Sequence, residues 1–160
     1  MKELNLNISV RVFEGIQSLA PADAALIQAA KAVLNNSYSP YSSFKVAAAV
    51  LLENGEILTG TNQENASFPA GICAEGTVLS AVSSIYPHVA VKKLAVTVHS
   101  ARQHIAHPVA PCGICRQRIL EYETRFNSSI EILMMGEEGE VYTVNSIKDL
   151  LPLSFSKSDL

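Results

Sequence analysis

Apolar and polar positions alternate along the first stretch of the chain, where Leu4, Leu6, Ile8, Val10 and Val12 fall on every second residue. A period of two is that of a strand with one buried face. From Pro21 the period becomes helical: Ala25, Leu26, Ala29, Ala30, Val33 and Leu34 form one stripe, which the polar run "NNSYSP" ends. Two strand-like runs then flank Asn54-Gly55 in "FKVAAAVLLENGEILTGTN", a strong hairpin signal. Val78, Leu79, Ala81 and Val82 predict a buried helix headed by Cys73 that stops before Pro87. "KKLAVTVHS" and "IEILMMG" predict short buried strands, with a second cysteine-headed helix, "PCGICRQRILEYETRF", between them. "EEGEVYTV" reads as a turn into one more strand, and residues 146–151 as a short helix.

Strands alternating with helices indicate an α/β layer architecture, and the early hairpin makes the sheet mixed. The chain has 160 residues, no repeat and no low-complexity linker, so it is expected to form a single domain over residues 1–160. Residues 1–14 read as an N-terminal strand extension.

Composition narrows the partners. The chain is 48% hydrophobic and 17% charged, with a formal net charge of −3. So little charge leaves apolar surface for neighbouring subunits to cover. No basic block exists of the kind that neutralises phosphates, which argues against nucleic acid. No apolar run reaches bilayer-spanning length, and "MKELNLNISV" lacks the apolar core of a signal peptide, so a cytoplasmic protein is expected. In a reducing compartment, three cysteines point to metal ligation or catalysis rather than to disulfides.

The cysteines carry the chemistry. Cys112 and Cys115 in "PCGIC" are spaced to face one point from a helix start, and Cys73 heads the other helix. Helix N-termini favour thiolates there. Three thiolates on a zinc ion leave one tetrahedral position open, as in a catalytic site. The histidines, of which His104 and His107 lie just before Pro111, offer the alternative of a closed structural site. Glu75 favours the open one. It follows Cys73 too closely to be a natural fourth ligand, yet it can approach the open position and move protons there. Taken alone, Glu75 would be a first-turn acid favoured by the helix dipole. A ligand-x-Glu followed by Pro-Cys-x-x-Cys is the signature of zinc deaminases.

The blocks "SPYSSFKVAAAV", "GTNQENASFPAGICAE", "APCGICRQ" and "LLPLSF" together resemble the cytidine deaminase family, in its small form with an all-cysteine zinc site, over a core of about residues 20–155. The resemblance implies a three-layer α/β/α sandwich around a mixed five-stranded sheet, here with an extra N-terminal strand. It implies one zinc per chain held by Cys73, Cys112 and Cys115, with Glu75 as the catalytic proton shuttle. By the same resemblance Asn62 and Glu64 hold the ribose, Phe44 lines the base pocket, and Phe155 stacks on the base from a neighbouring subunit of a homotetramer with shared active sites. The implied activity is hydrolytic deamination of cytidine and 2′-deoxycytidine in pyrimidine salvage, on a free nucleoside, with no nucleic acid or membrane as partner.

Two alternatives stay open: a deaminase of a modified cytosine nucleoside such as blasticidin S, and a zinc-stabilised relative without catalysis. Two departures matter. The family commonly has Tyr where Phe68 stands, which removes a hydroxyl near the sugar. It also commonly has Arg directly after the Glu, able to hydrogen-bond ligand sulfurs and offset the negative charge of three thiolates on one zinc; here Gly76 stands there. The N–H groups of the two helix starts offset part of that charge. Arg116, directly after Cys115, is a candidate for the rest, although helix geometry equally allows it to face solvent.

Overall fold

The structure is a computed structural model describing residues 1–160. Its strands are β1 (Arg11–Phe13), β2 (Phe44–Leu52), β3 (Ile57–Thr61), β4 (Val91–Ser100), β5 (Glu131–Met135) and β6 (Val141–Val144). Its helices are α1 (Pro21–Ala32), α2 (Ala74–Ile85) and α3 (Gly113–Phe126), and the short helix expected over residues 146–151 is one of five 3-10 turns, at Ile147–Asp149. The strands form one six-stranded sheet in the order β1-β6-β5-β4-β2-β3. Only β4 and β5 pair in parallel. A parallel pair needs a crossover connection, and α3 lies in it.

The pleat of β2 sorts the two faces. Ala47 and Ala49 turn to α1, where Leu26, Ile27 and Ala30 pack with Ala95, Leu133 and Val141. Ala48, Val50 and Leu52 turn the other way, against Val78, Leu79 and Val82 of α2 and Ile119 and Leu120 of α3. Helices therefore cover both faces, and the α/β/α sandwich with a five-stranded mixed core, β2 to β6, is as expected. The hairpin turn is at Asn54-Gly55, where Gly55 has φ 89°, a conformation open to glycine at no steric cost.

One close approach places α2. A Cβ on Gly60 of β3 would stand 2.7 Å from the Val78 backbone nitrogen and 2.9 Å from the Ala74 carbonyl oxygen. The first turns of α2 thus lie directly on the β3 backbone, and Thr77 Oγ1 ties them by donating to the Thr61 carbonyl at 3.1 Å.

The N-terminal strand is present but shorter than the alternation suggests. β1 pairs antiparallel with β6 over Arg11–Phe13. Residues 1–10 form no ladder, and Leu4, Leu6, Ile8, Val10 and Val12 are exposed rather than half-buried. The reason is the partner. β6 offers only four residues, and a strand extends no further than its neighbour allows.

Candidate metal centre and cavity

Cys73 is the N-cap of α2 and Cys112 the N-cap of α3, and neither side chain caps its helix. Their sulfurs are thereby free to turn toward each other. Cys73 Sγ and Cys112 Sγ are 4.0 Å apart, and with Cys115 Sγ all three lie within 4.8 Å of one another. Sulfurs about 2.3 Å from a tetrahedral zinc stand about 3.8 Å apart, so the cluster fits zinc with little adjustment. Cys115 is buried, Cys73 half-buried and Cys112 exposed, which leaves the group open on one side. A hydrogen bond from Cys115 lowers the Cys73 thiol to about 6, and donating that bond, together with burial, pushes Cys115 up.

The open side faces a cavity of about 610 Å³ that Cys73, Cys112 and Glu75 all line. That volume lies in the range of small-molecule sites, about 300–1,000 Å³. Glu75 is 4% exposed, and burial raises its carboxyl above the ordinary carboxylate range. Phe44, Val46, Val96 and Val98 make an apolar wall. Tyr41 and Phe68 stand at the cavity too, edge to face with ring centroids 5.9 Å apart.

Asn62 and Glu64 also line the cavity, already bonded to the segment that frames it. Asn62 Oδ1 accepts from Ser37 Oγ at 2.6 Å and the Val46 N–H at 2.8 Å, while its Nδ2 donates to the Phe44 carbonyl at 2.9 Å. Glu64 accepts from the Tyr41 N–H at 2.8 Å, the Ser42 N–H at 3.3 Å and the Ser42 hydroxyl. The Ser42 hydroxyl chiefly, with these backbone donors, holds Glu64 below the usual range against the opposing effect of burial. The polar run "TNQEN" is therefore a structural clamp as well as a cavity wall.

Two expected site residues lie elsewhere. Phe155 is 59% exposed and outside the cavity of its own chain, its carbonyl accepting from Gln117 Nε2 at 2.9 Å. Arg116 does not turn to the sulfurs. Its Nε donates to the Pro111 carbonyl at 2.8 Å and its Nη1 to the Leu150 carbonyl at 2.6 Å, so it ties the cysteine turn to the C-terminal segment. That corrects its assignment as the charge-offsetting group: the two carbonyls satisfy a guanidinium that helix spacing left free to point either way.

Two residues outside the sequence reading enter here. Arg118, one helical turn after Cys115, lies over Gly76, with Nη1 2.0 Å from where a Cβ on Gly76 would stand. The i, i+3 spacing from Cys115 was the available signal. Glu137 organises the loop between β4 and Pro111: it accepts from His99 Nδ1 at 2.7 Å, the Ser100 N–H at 3.3 Å and the Ile105 N–H at 3.1 Å. Nothing local in sequence pointed to it.

An open three-sulfur cluster beside a buried carboxyl, at one end of an α/β/α sandwich, defines a metal-dependent enzyme rather than a structural zinc module. Residues 21–127 match the family model described as the cytidine and deoxycytidylate deaminase zinc-binding region. The chain belongs to this family. It is 38% identical over 136 residues to a cytidine deaminase of Sporosarcina psychrophila, spanning 84% of this chain and 92% of that protein. It is 33% identical over 135 residues to one of Halalkalibacterium halodurans, covering 84% and 95%. Among solved structures, a cytidine deaminase from Burkholderia pseudomallei superposes with a TM-score of 0.71 at 36% identity, over 82% of this chain and 97% of that one.

Proposed function

We propose that the chain is a zinc-dependent cytidine deaminase that hydrolyses cytidine and 2′-deoxycytidine to the uridine product and ammonia. The observation that carries this reading is the buried Glu75 carboxyl lining the same cavity as Cys73 and Cys112, whose sulfurs cluster with that of the buried Cys115. These three residues would hold the zinc. When bound, zinc supplies a Lewis acid and a water whose pKa is lowered to about 7.

The chain's own residues do the rest. Glu75 takes a proton from the attacking water and gives one to the ring nitrogen beside the amino-bearing carbon. It then carries a second to the leaving amine, which departs as ammonia. Burial suits the task, because raising the carboxyl makes it a stronger base toward the water and keeps it able to hand the proton on. Phe44 and the valine wall position the base. Asn62 keeps one free Nδ2 hydrogen and Glu64 one free acceptor site, on Oε1, for sugar hydroxyls, and both are held rigid by the bonds described above.

Phe155 is assigned to the cavity of a neighbouring subunit in a homotetramer, which accounts for its exposure in its own chain. An exposed Phe68 at the cavity supports this reading. Deleting residues from Ser154 onward should then raise KM and leave the core folded, and the full chain should sediment as a tetramer. A fully active monomer would rule the shared site out. A salvage enzyme acting on free nucleosides inside the cell is a cytoplasmic one, and thiolate ligands fit a reducing compartment.

The decisive test is ammonia release from cytidine, 2′-deoxycytidine and blasticidin S in parallel. Uridine formation at the higher rate supports the reading. Preference for blasticidin S would move it to the modified-nucleoside alternative. A zinc-loaded chain inert on all three would make it a non-catalytic relative.

A further inference from the structure

Gly76 puts no side chain on the first turn of α2 beside the three cysteines, and an arginine of α3 fills the space. We propose that the Arg118 guanidinium, reaching across from α3 into the space that Gly76 leaves on α2, offsets the charge of the three-thiolate centre and so acts as a positioning residue for it. The inference rests on the zinc reading above.

Three thiolates on a divalent metal carry a net negative charge, and an ionised Glu75 would add to it. Of the five arginines in the chain, four are hydrogen-bonded. Arg11 donates to Glu131 and Asn145, Arg102 to the Tyr41 carbonyl, Arg116 to Pro111 and Leu150, and Arg125 to Pro87. Arg118 alone makes no hydrogen bond or ion pair within the chain, so no acceptor fixes its guanidinium elsewhere. It rises one turn behind Cys115 on α3. It extends to the first turn of α2, the turn that Cys73 caps and that carries Glu75 and Gly76.

Gly76 supplies the second half of the argument. It is buried within the first turn of α2, a place where glycine weakens a helix relative to alanine. A Cβ there would meet Arg118 Nη1 at 2.0 Å and Cζ at 3.3 Å, with Ile72 Cγ1 at 3.0 Å. No side chain at 76 can coexist with this placement of Arg118. The glycine and the arginine, 42 positions apart in the chain, are two parts of one device.

The test uses zinc-loaded protein and a cobalt-substituted form. Arg118→Gln should release zinc to a chelator about ten-fold more readily, in line with the loss of other outer-shell partners. It should shift the thiolate-to-cobalt charge-transfer band and lower kcat on cytidine with little change in KM. Arg118→Lys should recover most of each loss. Gly76→Ala should reproduce the effects by displacing the guanidinium, and should add nothing in the Arg118→Gln background. Circular dichroism monitors folding throughout. Unchanged zinc release, cobalt band and kcat in Arg118→Gln would overturn the proposal. So would a Gly76→Ala effect that persists at full size without Arg118. Failure of the parent protein to bind zinc or turn over cytidine would overturn the zinc reading itself, before any variant is made.

Discussion

α2 carries one charged residue, Glu75, and buries Ala74, Glu75, Gly76, Val78, Leu79 and Val82. α3 carries five charged residues and buries only Cys115, Ile119, Leu120 and Glu123. Yet both begin on a cysteine, and the two N-caps meet at 4.0 Å. A helix with so little polarity can be placed only by shape, and α2 is seated where Gly60 lets it touch β3. α3 is placed by polar ties. Glu123 accepts from the Ile130 N–H, the Ile147 N–H and the Ser146 hydroxyl at 2.7–3.0 Å. Arg116 holds Pro111 and Leu150, and Arg125 holds the Pro87 carbonyl. The difference suits the chemistry. The acid sits on the helix with no other charge, where burial raises it, while the arginines nearest the centre belong to its neighbour.

The sharpest way to break the pairing is to remove a sulfur. Cys112→Ala should leave a chain without stoichiometric zinc by atomic absorption and without detectable ammonia release. Retained zinc and activity would mean that α3 need not meet α2 at a metal. Glu75→Gln comes next. It keeps shape and zinc but cannot move protons, so kcat should fall at least ~100-fold, the usual scale for general acid–base catalysis. Near-normal turnover would leave Glu75 as a helix-end charge.

Gly60→Ala tests placement by shape. The clash falls on α2 backbone atoms that cannot swing away, so urea unfolding should report a loss of roughly 1–3 kcal/mol, the range for overpacked cores. Zinc affinity should weaken with it, because Cys73 moves with the helix. An unaffected midpoint would show that α2 slides freely over β3.

The smallest effect belongs to the polar side. Hydrogen bonding from His99 holds the Glu137 carboxyl at about 2, well below its ordinary value. A depressed carboxyl stabilises the fold fully above the ordinary carboxylate range, and that contribution is lost as pH falls from there toward 2. In zinc-free protein, the fall in Tm between pH 5 and pH 3 should therefore be steeper for the parent than for Glu137→Gln. Parallel curves would remove Glu137 as a tie on the loop leading to Cys112.

Much of this was legible from local pattern. Asn54-Gly55 announced the hairpin, Pro21 and "NNSYSP" bounded α1, and the cysteine spacing marked both helix starts, because each signal lies within a turn or two of what it specifies. What escaped depends on pairs distant in sequence. Strict alternation over residues 4–12 specifies an extended chain but not a partner, and β6 is too short to supply one. Arg116 and Arg118 are both cations near Cys115, and only the packing of α3 on α2 decides which one faces Gly76. Asn62 and Glu64 read as ligand contacts, while their second duty toward Phe44, Tyr41 and Ser42 needed the fold.

The split of the three sulfurs between two helices has a mechanical consequence. An ion gripping Cys73 and Cys112 closes a loop across 39 residues, as a covalent staple would. By the chain-entropy relation for cross-links, closing a loop of that length is worth about 4 kcal/mol against the unfolded chain. The loop contains the whole of β4, the strand at which the parallel pair begins. Metal loading should therefore raise Tm far more than a surface ion would, and chelation should return it, with Cys73→Ser abolishing most of the difference. On this view the metal ties together the half of the sheet that hairpins alone cannot.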